Sequence, residues 1–429
     1  MKKTTTLHQK KEWGVAGKYN GMLLFAVVFI GYLVFGLSEN IKGPAIPRIQ
    51  SEYGLNEIQL GLLLSLNSTG YLLACSFTGI MSRRISLKAA TMIALFSMTL
   101  AGLFIYLSFS FPLFVFSYFL LYIGNGILEI VFGILSARIF IKNTGTLMSM
   151  AHGFYGLSST FAPLFAVRIM SFHALGSLSG WKGMYFLMLL PCLIPAILGL
   201  FLKFPGDEEN GEGKLSTKQY LKDPVAWYMV GILTLGVIAE LSVGNWLVNY
   251  LEKVYSWESG RASGMLSAFF FAFMLARLLL GPVTDRLGYA KSIVLFSGFS
   301  GLCTLLGILS GPGGAFFFAL SGAGIAPVYP AVMAFLAKYY AKSSDTAVSF
   351  TVTFMGIGSV AGNFVIGAVM DMSEALFSLS LPAATAYGAG LKSGYVFIGL
   401  CALACAFLSY KLHRRLKQAP SEASTQLQQ

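Results

Sequence analysis

The sequence predicts an all-α polytopic membrane protein with twelve transmembrane helices in two six-helix bundles. Three observations predict this fold. Apolar residues occupy 56% of the 429 positions and charged residues only 11%, long apolar segments recur from one end of the chain to the other, and features of the first half return in the second. Soluble domains carry roughly 25% charged residues, so the composition excludes a soluble protein.

Twelve apolar segments are long enough to cross a bilayer, which requires roughly 20 residues of helix. The segments are continuous and do not alternate between apolar and polar residues, which favours helices over the strands of a membrane barrel. The predicted spans are residues 21–47, 57–82, 89–109, 113–139, 146–170, 183–204, 225–251, 262–284, 290–310, 314–338, 346–370 and 391–412.

The basic charge of the chain predicts its orientation in the membrane. The formal net charge is +12, which in a soluble protein would suit a polyanionic partner. When the spans are threaded alternately, however, most of the 30 Lys and Arg residues fall on the side that carries the two chain ends. The positive-inside rule therefore predicts cytoplasmic termini in a plasma (cell inner) membrane, with the lipid bilayer as a partner and no nucleic acid.

A hydrophilic segment rich in glycine and charge divides the spans into two groups of six. It comprises residues 205–224 and has the composition of a flexible bridge. We therefore predict an N-terminal six-helix bundle over residues 1–204, a cytoplasmic linker over 205–224 and a C-terminal six-helix bundle over 225–429. Related halves that flank a site at the bilayer midplane are typical of secondary transporters.

A loop motif occurs once in each half. The loop after the eighth span reads Gly281-Pro-Val-Thr-Asp285-Arg286, and the loop after the second span has Gly79-Ile-Met-Ser-Arg83 at the corresponding place. An acid at a helix end, followed by a cation, can contact the neighbouring bundle in one access state only. We therefore expect Gly281, Asp285 and Arg286 to be gating residues. The alternative is that the basic residues only set the topology.

Four ionisable side chains stand out within the predicted spans, where a charge is expensive and therefore marks a functional candidate. They are Glu39, Glu129, Glu240 and Arg277. Arg277 precedes Gly281 on the same helical face. We therefore group Arg277 with the gating residues and expect it to have an acid or a carbonyl group as its partner.

Glu129 is the strongest candidate for a proton carrier. It shares one helical face with Tyr122 and Asn125, and a low dielectric disfavours a charged carboxylate. The alternative is a structural acid that donates a hydrogen bond to a neighbouring helix. Glu39 is the second candidate for proton coupling, and a static ion pair with Lys42, three residues on, is the alternative for it.

A set of polar and aromatic side chains in the spans suits a sugar-like solute, because amides and carboxylates bond hydroxyl groups and aromatic faces cover the C–H side of a ring. The alternatives are that Trp and Tyr anchor the membrane interface and that the histidine relays protons or bonds a neighbouring helix. The predicted substrate-binding residues are Asn125, His152, Tyr155, Glu240, Asn245, Trp246, Asn249, Tyr250 and Asn363.

The loop motif G-x-x-x-D-R-x-G-x-x-K over residues 281–291 resembles the cytoplasmic-loop signature of the major facilitator superfamily. The resemblance covers residues 20–412 and implies the fold of that superfamily, with two six-helix bundles. The loop after the second span departs from the signature, because Arg83 stands where the family has an acid.

Within the superfamily, the chain is similar to the fucose-permease-like sugar:proton symporters. The matching pieces are the acid Glu39 in span 1, the G-x-x-x-x-E that ends at Glu129, the H-x-x-Y-G of span 5 and the E-x-x-x-G-x-W-x-x-x-Y of span 7. In that group the acids of spans 1 and 4 are associated with proton coupling, so the resemblance implies this role for Glu39 and Glu129. The group often has Asp in span 1 where this chain has Glu39.

Taken together, these features predict a secondary transporter and not an enzyme: proton-coupled symport of a small polar, sugar-like solute by a monomer, with the solute and the proton as partners. Proton-driven efflux of drugs or metabolites is the alternative. Antiporters of the superfamily usually carry a glycine-rich stretch in span 5, where this chain has Ala162-Pro163-Leu-Phe-Ala. The sequence has no P-loop, nucleophile motif or metal-ligand cluster within a span, so we expect no cofactor and no metal.

Overall fold

The computed structural model describes residues 15–140, 144–205, 220–340 and 344–418, and every regular element in those ranges is a helix. The prediction of an all-α fold is confirmed. The two chain ends and most of the predicted linker, residues 206–219, lie outside the described ranges.

The first half contains six helical spans, which lie within a few residues of the predicted ones. They are α1 (Val15–Asn40 and Lys42–Tyr53), α2 (Glu57–Ile85), α3 (Leu87–Tyr106), α4 (Phe111–Ile139), α5 (Thr144–Ser171) and α6 (Trp181–Leu189 and Leu193–Phe201). The largest difference is at α1, which runs past the predicted end at residue 47 after a break at Ile41.

The second half repeats this arrangement. Its spans are α7 (Pro224–Val254), α8 (Ser259–Leu279), α9 (Tyr289–Leu309), α10 (Phe316–Ile325 and Val328–Tyr339), α11 (Ser344–Phe377) and α12 (Ala383–Gln418), with a short helix, Gly281–Leu287, after α8. Over the described residues, eleven helices are long and apolar enough to cross a bilayer, and α5 is the remaining predicted span.

Prolines account for the breaks in α1 and α10. A proline has no N–H, so the carbonyl group four residues before it loses its helical donor. Pro44 removes the donor for the Asn40 carbonyl group, and Pro330 removes the donor for the Ala326 carbonyl group. Such breaks are tolerated at membrane depth where neighbouring side chains satisfy the freed groups. The breaks therefore mark the parts of the two helices at which polar partners are needed.

The two halves are joined firmly at one end of the molecule. We call the end where α1 begins and α12 ends the terminal face, and the opposite end the distal face. At the distal face, Arg48 Nη1 lies 2.6 Å from Glu252 Oε1 of the other half. The Asp371 carboxylate accepts hydrogen bonds from the backbone N–H groups of Glu57, at 3.1 Å, and Ile58, at 3.0 Å. A residue of the second half thus caps the first turn of α2.

Glycines let α2 and α11 touch along this seam. A Cβ atom added at Gly61 would lie 2.7 Å from the Asn363 carbonyl oxygen, and one added at Gly367 would lie 2.3 Å from the Glu57 carbonyl oxygen. Further along, Ser65 Oγ donates a hydrogen bond of 2.7 Å to the Val360 carbonyl oxygen. The seam is therefore closed toward the distal face.

Close packing of α10 against α9 makes Gly324 intolerant of a side chain. An alanine Cβ at this position would lie 2.7 Å from Ser300 N and 2.8 Å from the Phe296 carbonyl oxygen, and backbone atoms cannot turn aside. We expect Gly324→Ala to lower the apparent Tm, measured by tryptophan fluorescence in detergent, by an amount equivalent to about 1–3 kcal/mol of overpacking.

The matched control for this experiment is Gly264→Ala in α8. Its added Cβ meets nothing within 4 Å, and alanine in a helix is favoured over glycine by about 1 kcal/mol. The two substitutions should therefore shift the Tm in opposite directions at one scan rate. An equal shift for both would contradict the packing argument.

Candidate transport site

The polar centre of the first half lies at the break in α1. Glu39 and Lys42 flank the break, with Lys42 Nζ 3.6 Å from Glu39 Oε2 and side-chain exposures of 9% and 13% for Lys42 and Glu39. Asn125 of α4 donates a hydrogen bond of 2.6 Å to Glu39 Oε1, and Ser38 Oγ donates one of 2.8 Å to Asn125 Oδ1. The predicted residues Glu39 and Asn125 are thus in direct contact.

Helix α5 supports this centre because it touches α1 closely. A Cβ atom at Gly36 would lie 2.1 Å from Ser158 Oγ and 2.5 Å from the Tyr155 carbonyl oxygen. Because the two helices are this close, Asn40 Nδ2 of α1 donates a hydrogen bond of 2.9 Å to Ser159 Oγ of α5. The ring of Tyr155 packs against Phe35 of α1.

The second half holds an acid paired with a cation near the break in α10. Arg277 Nη2 lies 3.6 Å from Glu240 Oε1. Arg277 Nε also donates a hydrogen bond of 3.3 Å to the Ala326 carbonyl oxygen, the group freed by Pro330. Arg277 therefore has both the acid and the carbonyl partner that we expected for it, and it lies beside the predicted substrate ligand Glu240.

Two tyrosines interact with charged groups of both halves. Tyr155 of α5 interacts electrostatically with Glu39, Glu240 and Arg277, and Tyr329 of α10 interacts with Glu129, Glu240 and Arg277. Sequence reasoning missed Tyr329. The signal that could have found it is its place between Pro327 and Pro330 at the helix break.

Glu129 is close to this centre and differs from the other acids. It interacts electrostatically with Tyr32 of the first half and with Tyr329 of the second. Its Oε2 atom is buried and has no hydrogen-bond partner among the described residues. No Lys, Arg or His of the described chain forms an ion pair with Glu129, whereas Glu39 and Glu240 each have a cation beside them.

His152 of α5 lies beside Tyr32 of α1, the tyrosine that interacts with Glu129. Its ring is 5.1 Å from the ring of Tyr32, and more than a third of its surface is exposed. The histidine is therefore accessible to a solute or a proton, in contrast to the buried Asn125.

The remaining predicted ligands lie in the second half and form two groups. Asn245 donates a hydrogen bond of 2.9 Å to Asn363, and Asn363 reaches across the seam to Ser68 Oγ at 3.2 Å. Trp246 and Asn249 are buried, and Trp246 Nε1 and both polar side-chain atoms of Asn249 have no partner in the described chain. Asn245 Oδ1 is likewise without a partner in the described chain, so both groups retain polar atoms that are free to bond a solute.

Tyr250 lies in the interior of the second half. Its ring centroid is 4.4 Å from that of Tyr395, and its hydroxyl group donates a hydrogen bond of 3.3 Å to the Tyr255 hydroxyl group. The structure does not bring Tyr250 together with the charged pairs.

The predicted gating loop is at the terminal face. Gly281, Asp285 and Arg286 are exposed. Within the described residues, the Asp285 carboxylate accepts a 3.4 Å hydrogen bond from Tyr289 of its own half. Among the described residues, no hydrogen bond or ion pair joins Gly281, Asp285 or Arg286 to the first half.

Comparison with known families agrees with this architecture. The family model described as Major Facilitator Superfamily matches residues 28–363, which is most of the chain. The chain belongs to the major facilitator superfamily. It is therefore a multi-pass membrane transporter for a small-molecule substrate and not an enzyme.

Curated relatives in the superfamily are distant and cover nearly the whole chain. The Protein TsgA homolog of Buchnera aphidicola is 20% identical over 86% of this chain and 94% of its own length. The Probable hexose phosphate transport protein of Chlamydia trachomatis is 23% identical over 82% of this chain and 85% of its own length.

Solved transporters of the superfamily have the same fold. A bacterial homolog of the human lysosomal transporter Spinster, in an inward-facing and unoccupied conformation, matches with a TM-score of 0.78 and 14% identity, over 94% of this chain and 99% of its own. The E. coli fucose:proton symporter FucP matches with a TM-score of 0.61 and 18% identity, over 91% and 99%. The similarity to the fucose-permease-like group is compatible with these matches.

Because Glu39 and Lys42 form a buried ion pair, we expect the removal of one charge to make the other destabilising. Lys42→Met leaves the Glu39 carboxylate uncompensated, and we expect a loss of about 3 kcal/mol in apparent stability. The double variant Lys42→Met with Glu39→Gln removes both charges and should recover most of that loss. Thermal unfolding of the purified protein in detergent measures both variants.

The control pair is Lys182 and Glu52 at the distal face, which are 2.7 Å apart with side-chain exposures of 25% and 41%. Water screens such a pair, so Lys182→Met should cost at most about 1 kcal/mol. Equal losses from Lys42→Met and Lys182→Met would argue against a buried ion pair at the break in α1.

Proposed function

We propose that the chain is a proton-coupled symporter that carries a small polar, sugar-like solute into the cytosol by alternating access. One observation carries the proposal. Of the three acids in the centre, Glu39 and Glu240 each lie beside a cation, whereas Glu129 has an unpartnered buried oxygen. A lone charged carboxylate is costly there, and a bound proton removes the charge. Glu129 is therefore assigned the coupling proton.

The proposed solute site lies between the two charged pairs. Tyr155, His152 and Tyr329 offer hydrogen-bonding groups and aromatic faces, which is the mixture that suits a sugar. Trp246 and Asn249 are assigned as further ligands because their side-chain N–H groups lack partners in the described chain. The fucose:proton symporter among the solved relatives is consistent with this solute class.

A proton and a solute that move together require the site to open to each side in turn. In this proposal the protein is a monomer in the plasma membrane, and the terminal face is cytoplasmic. The closed distal seam then makes the described conformation the one that is shut to the outside. Asp285 and Arg286 would contact the first half when the cytoplasmic side closes.

The test of this function is Glu129→Gln in proteoliposomes with a labelled hexose and an imposed pH gradient. Glutamine keeps the size of the side chain but cannot exchange a proton, so uphill accumulation should fall to the equilibrium level. Exchange of hexose at equal concentrations should persist, because the loaded carrier can still change its access state. Its rate should lose the pH dependence that Glu129 confers.

Glu39→Gln is the comparison for this experiment. If Glu39 only balances Lys42, that variant keeps accumulation; if it shares the coupling proton, both variants lose it. Full gradient-driven accumulation by Glu129→Gln would refute the assignment. Solute leaving the vesicles against its gradient as protons enter would favour the alternative, proton-driven efflux.

A second candidate substrate is a phosphorylated hexose. Two cations, Lys42 and Arg277, lie at the centre between the halves, and one curated relative is named a Probable hexose phosphate transport protein. A phosphate group would compete with Glu39 and Glu240 for these cations, because both present anionic oxygens to the same donors.

Lys42→Gln combined with Glu39→Gln separates the two substrate classes while keeping the centre neutral. If a phosphate group binds Lys42, uptake of hexose 6-phosphate should weaken about tenfold, the 1.4 kcal/mol equivalent of one lost charge-assisted bond. Uptake of the free hexose should change less. Lys182→Gln, which removes a cation away from the centre, is the control, and equal effects on both solutes would exclude the phosphate.

A further inference from the structure

A groove lies at the terminal face between the start of α7 and the end of α12. The two helices touch where Gly231 meets Leu408, because a Cβ atom added at Gly231 would lie 3.0 Å from Leu408 Cδ1. Further from the terminal face, Cys405 Sγ donates a hydrogen bond of 3.3 Å to the Ile232 carbonyl oxygen. Toward that face the helices leave a groove of about 490 Å³, within the range of about 300–1,000 Å³ for small-molecule sites. The groove is lined by Lys222, Pro224, Trp227, Tyr228, Leu408 and Lys411.

The walls of the groove are apolar and held in place. Trp227 is 41% exposed, its indole N–H group donates a hydrogen bond of 3.0 Å to the Leu221 carbonyl oxygen, and its ring centroid lies 5.0 Å from that of Phe354. Pro224 and Leu408 add aliphatic surface. Trp and Tyr side chains are common where a protein meets the headgroup region of a bilayer. The groove thus offers fixed apolar surface at the ends of the helices, where lipid headgroups lie.

Two lysines bring positive charge to this groove. Lys222 and Lys411 are both exposed, and neither forms an ion pair with an acid of the described residues. Lys411 Nζ lies 4.5 Å from the ring centroid of Phe407. The neighbouring acid, Asp223, has other partners, because its carboxylate accepts a hydrogen bond of 2.5 Å from the Tyr340 hydroxyl group and one of 2.8 Å from a backbone N–H group at the start of α7. The two lysines are therefore available to an anionic ligand.

We propose that this groove binds an anionic phospholipid, with its phosphate group between Lys222 and Lys411 and an acyl chain against Trp227 and Leu408. Basic pockets between transmembrane helices bind anionic headgroups, and phosphate oxygens accept strong, charge-assisted hydrogen bonds from ammonium groups. A free phosphate ion would satisfy the lysines but leave the apolar walls uncovered, whereas a lipid covers both. The bound lipid bridges the start of α7 and the end of α12.

The first measurement is the Tm of the purified full-length protein in detergent, without solute, as phosphatidylglycerol is added. We expect the Tm to rise and saturate, and phosphatidylcholine, whose headgroup has no net charge, to raise it less. Lys222→Gln combined with Lys411→Gln should raise the half-saturating concentration of phosphatidylglycerol about tenfold, because both basic contacts to the headgroup are lost.

The matched control is Lys203→Gln combined with Lys338→Gln. Both lysines are exposed and lie at the terminal face outside the groove, so this variant removes the same charge from the same face. Its Tm should respond to phosphatidylglycerol as that of the native protein does.

The second measurement is the fluorescence of Trp227 in proteoliposomes that contain lipids with brominated acyl chains. Bromine quenches tryptophan at short range, and the part of the quenching that Trp227→Phe removes belongs to this side chain. We expect brominated phosphatidylglycerol to quench Trp227 more than brominated phosphatidylcholine does at the same mole fraction. The preference should vanish with Lys222→Gln and Lys411→Gln together. If that double variant does not fold, each single substitution should reduce the preference.

Three results would overturn the proposal. Equal stabilisation by phosphatidylglycerol and phosphatidylcholine would show that the groove selects no anionic headgroup. Equal responses of the two double variants would assign the effect to the overall charge of the terminal face. A rise of the same size with inorganic phosphate would assign the lysines to a free anion. Because no solute or pH gradient is used, these results are independent of the coupling assigned to Glu129.

Discussion

The rest of the structure depends on one constraint, the low dielectric of the bilayer, in which every polar group needs a partner from the protein itself. Helices satisfy the backbone, and prolines then create the exceptions. Pro330 frees the Ala326 carbonyl group, and Arg277 donates to it. The same guanidinium group lies beside Glu240. Arg277 thus satisfies the freed carbonyl group and balances the charge of Glu240 at the same time. Both interactions hold its positive charge at the centre of the protein.

The two halves satisfy this constraint in related but unequal ways. Glu39 in α1 and Glu240 in α7 occupy corresponding places, and each acid lies beside a cation. Lys42 comes from the same helical span as its acid, whereas Arg277 comes from the next helix. Glu129 of α4 has no such partner in the described chain. The asymmetry between the halves leaves one acid without a cation beside it in the described chain, and the proposed proton coupling rests on this acid.

The seam between the halves is held by hydrogen bonds from side chains to backbone groups, whereas the centre of the first half is held by hydrogen bonds between side chains. Asn56 and Gln59 form a capping box at the start of α2, and Asp371 of the other half caps the two N–H groups that remain. When α2 and α11 separate, those N–H groups must find other partners. Closure of the distal face is therefore tied to the capping of α2 by a residue of the second half.

The sequence by itself predicted the all-α fold and the helical spans, because these depend on composition and on contacts within a few helical turns. It also predicted that Glu39 and Asn125 matter, since each lies in a span where polar groups are costly. Only the tertiary structure decided which groups meet. The contact between Glu57 and Asp371 joins residues 314 positions apart. The pairing of Arg277 with Glu240, and the lack of a cation beside Glu129 in the described chain, depend on how each helix is rotated against its neighbours. A pattern along one helix shows which face is polar, but the register between packed helices determines what that face meets.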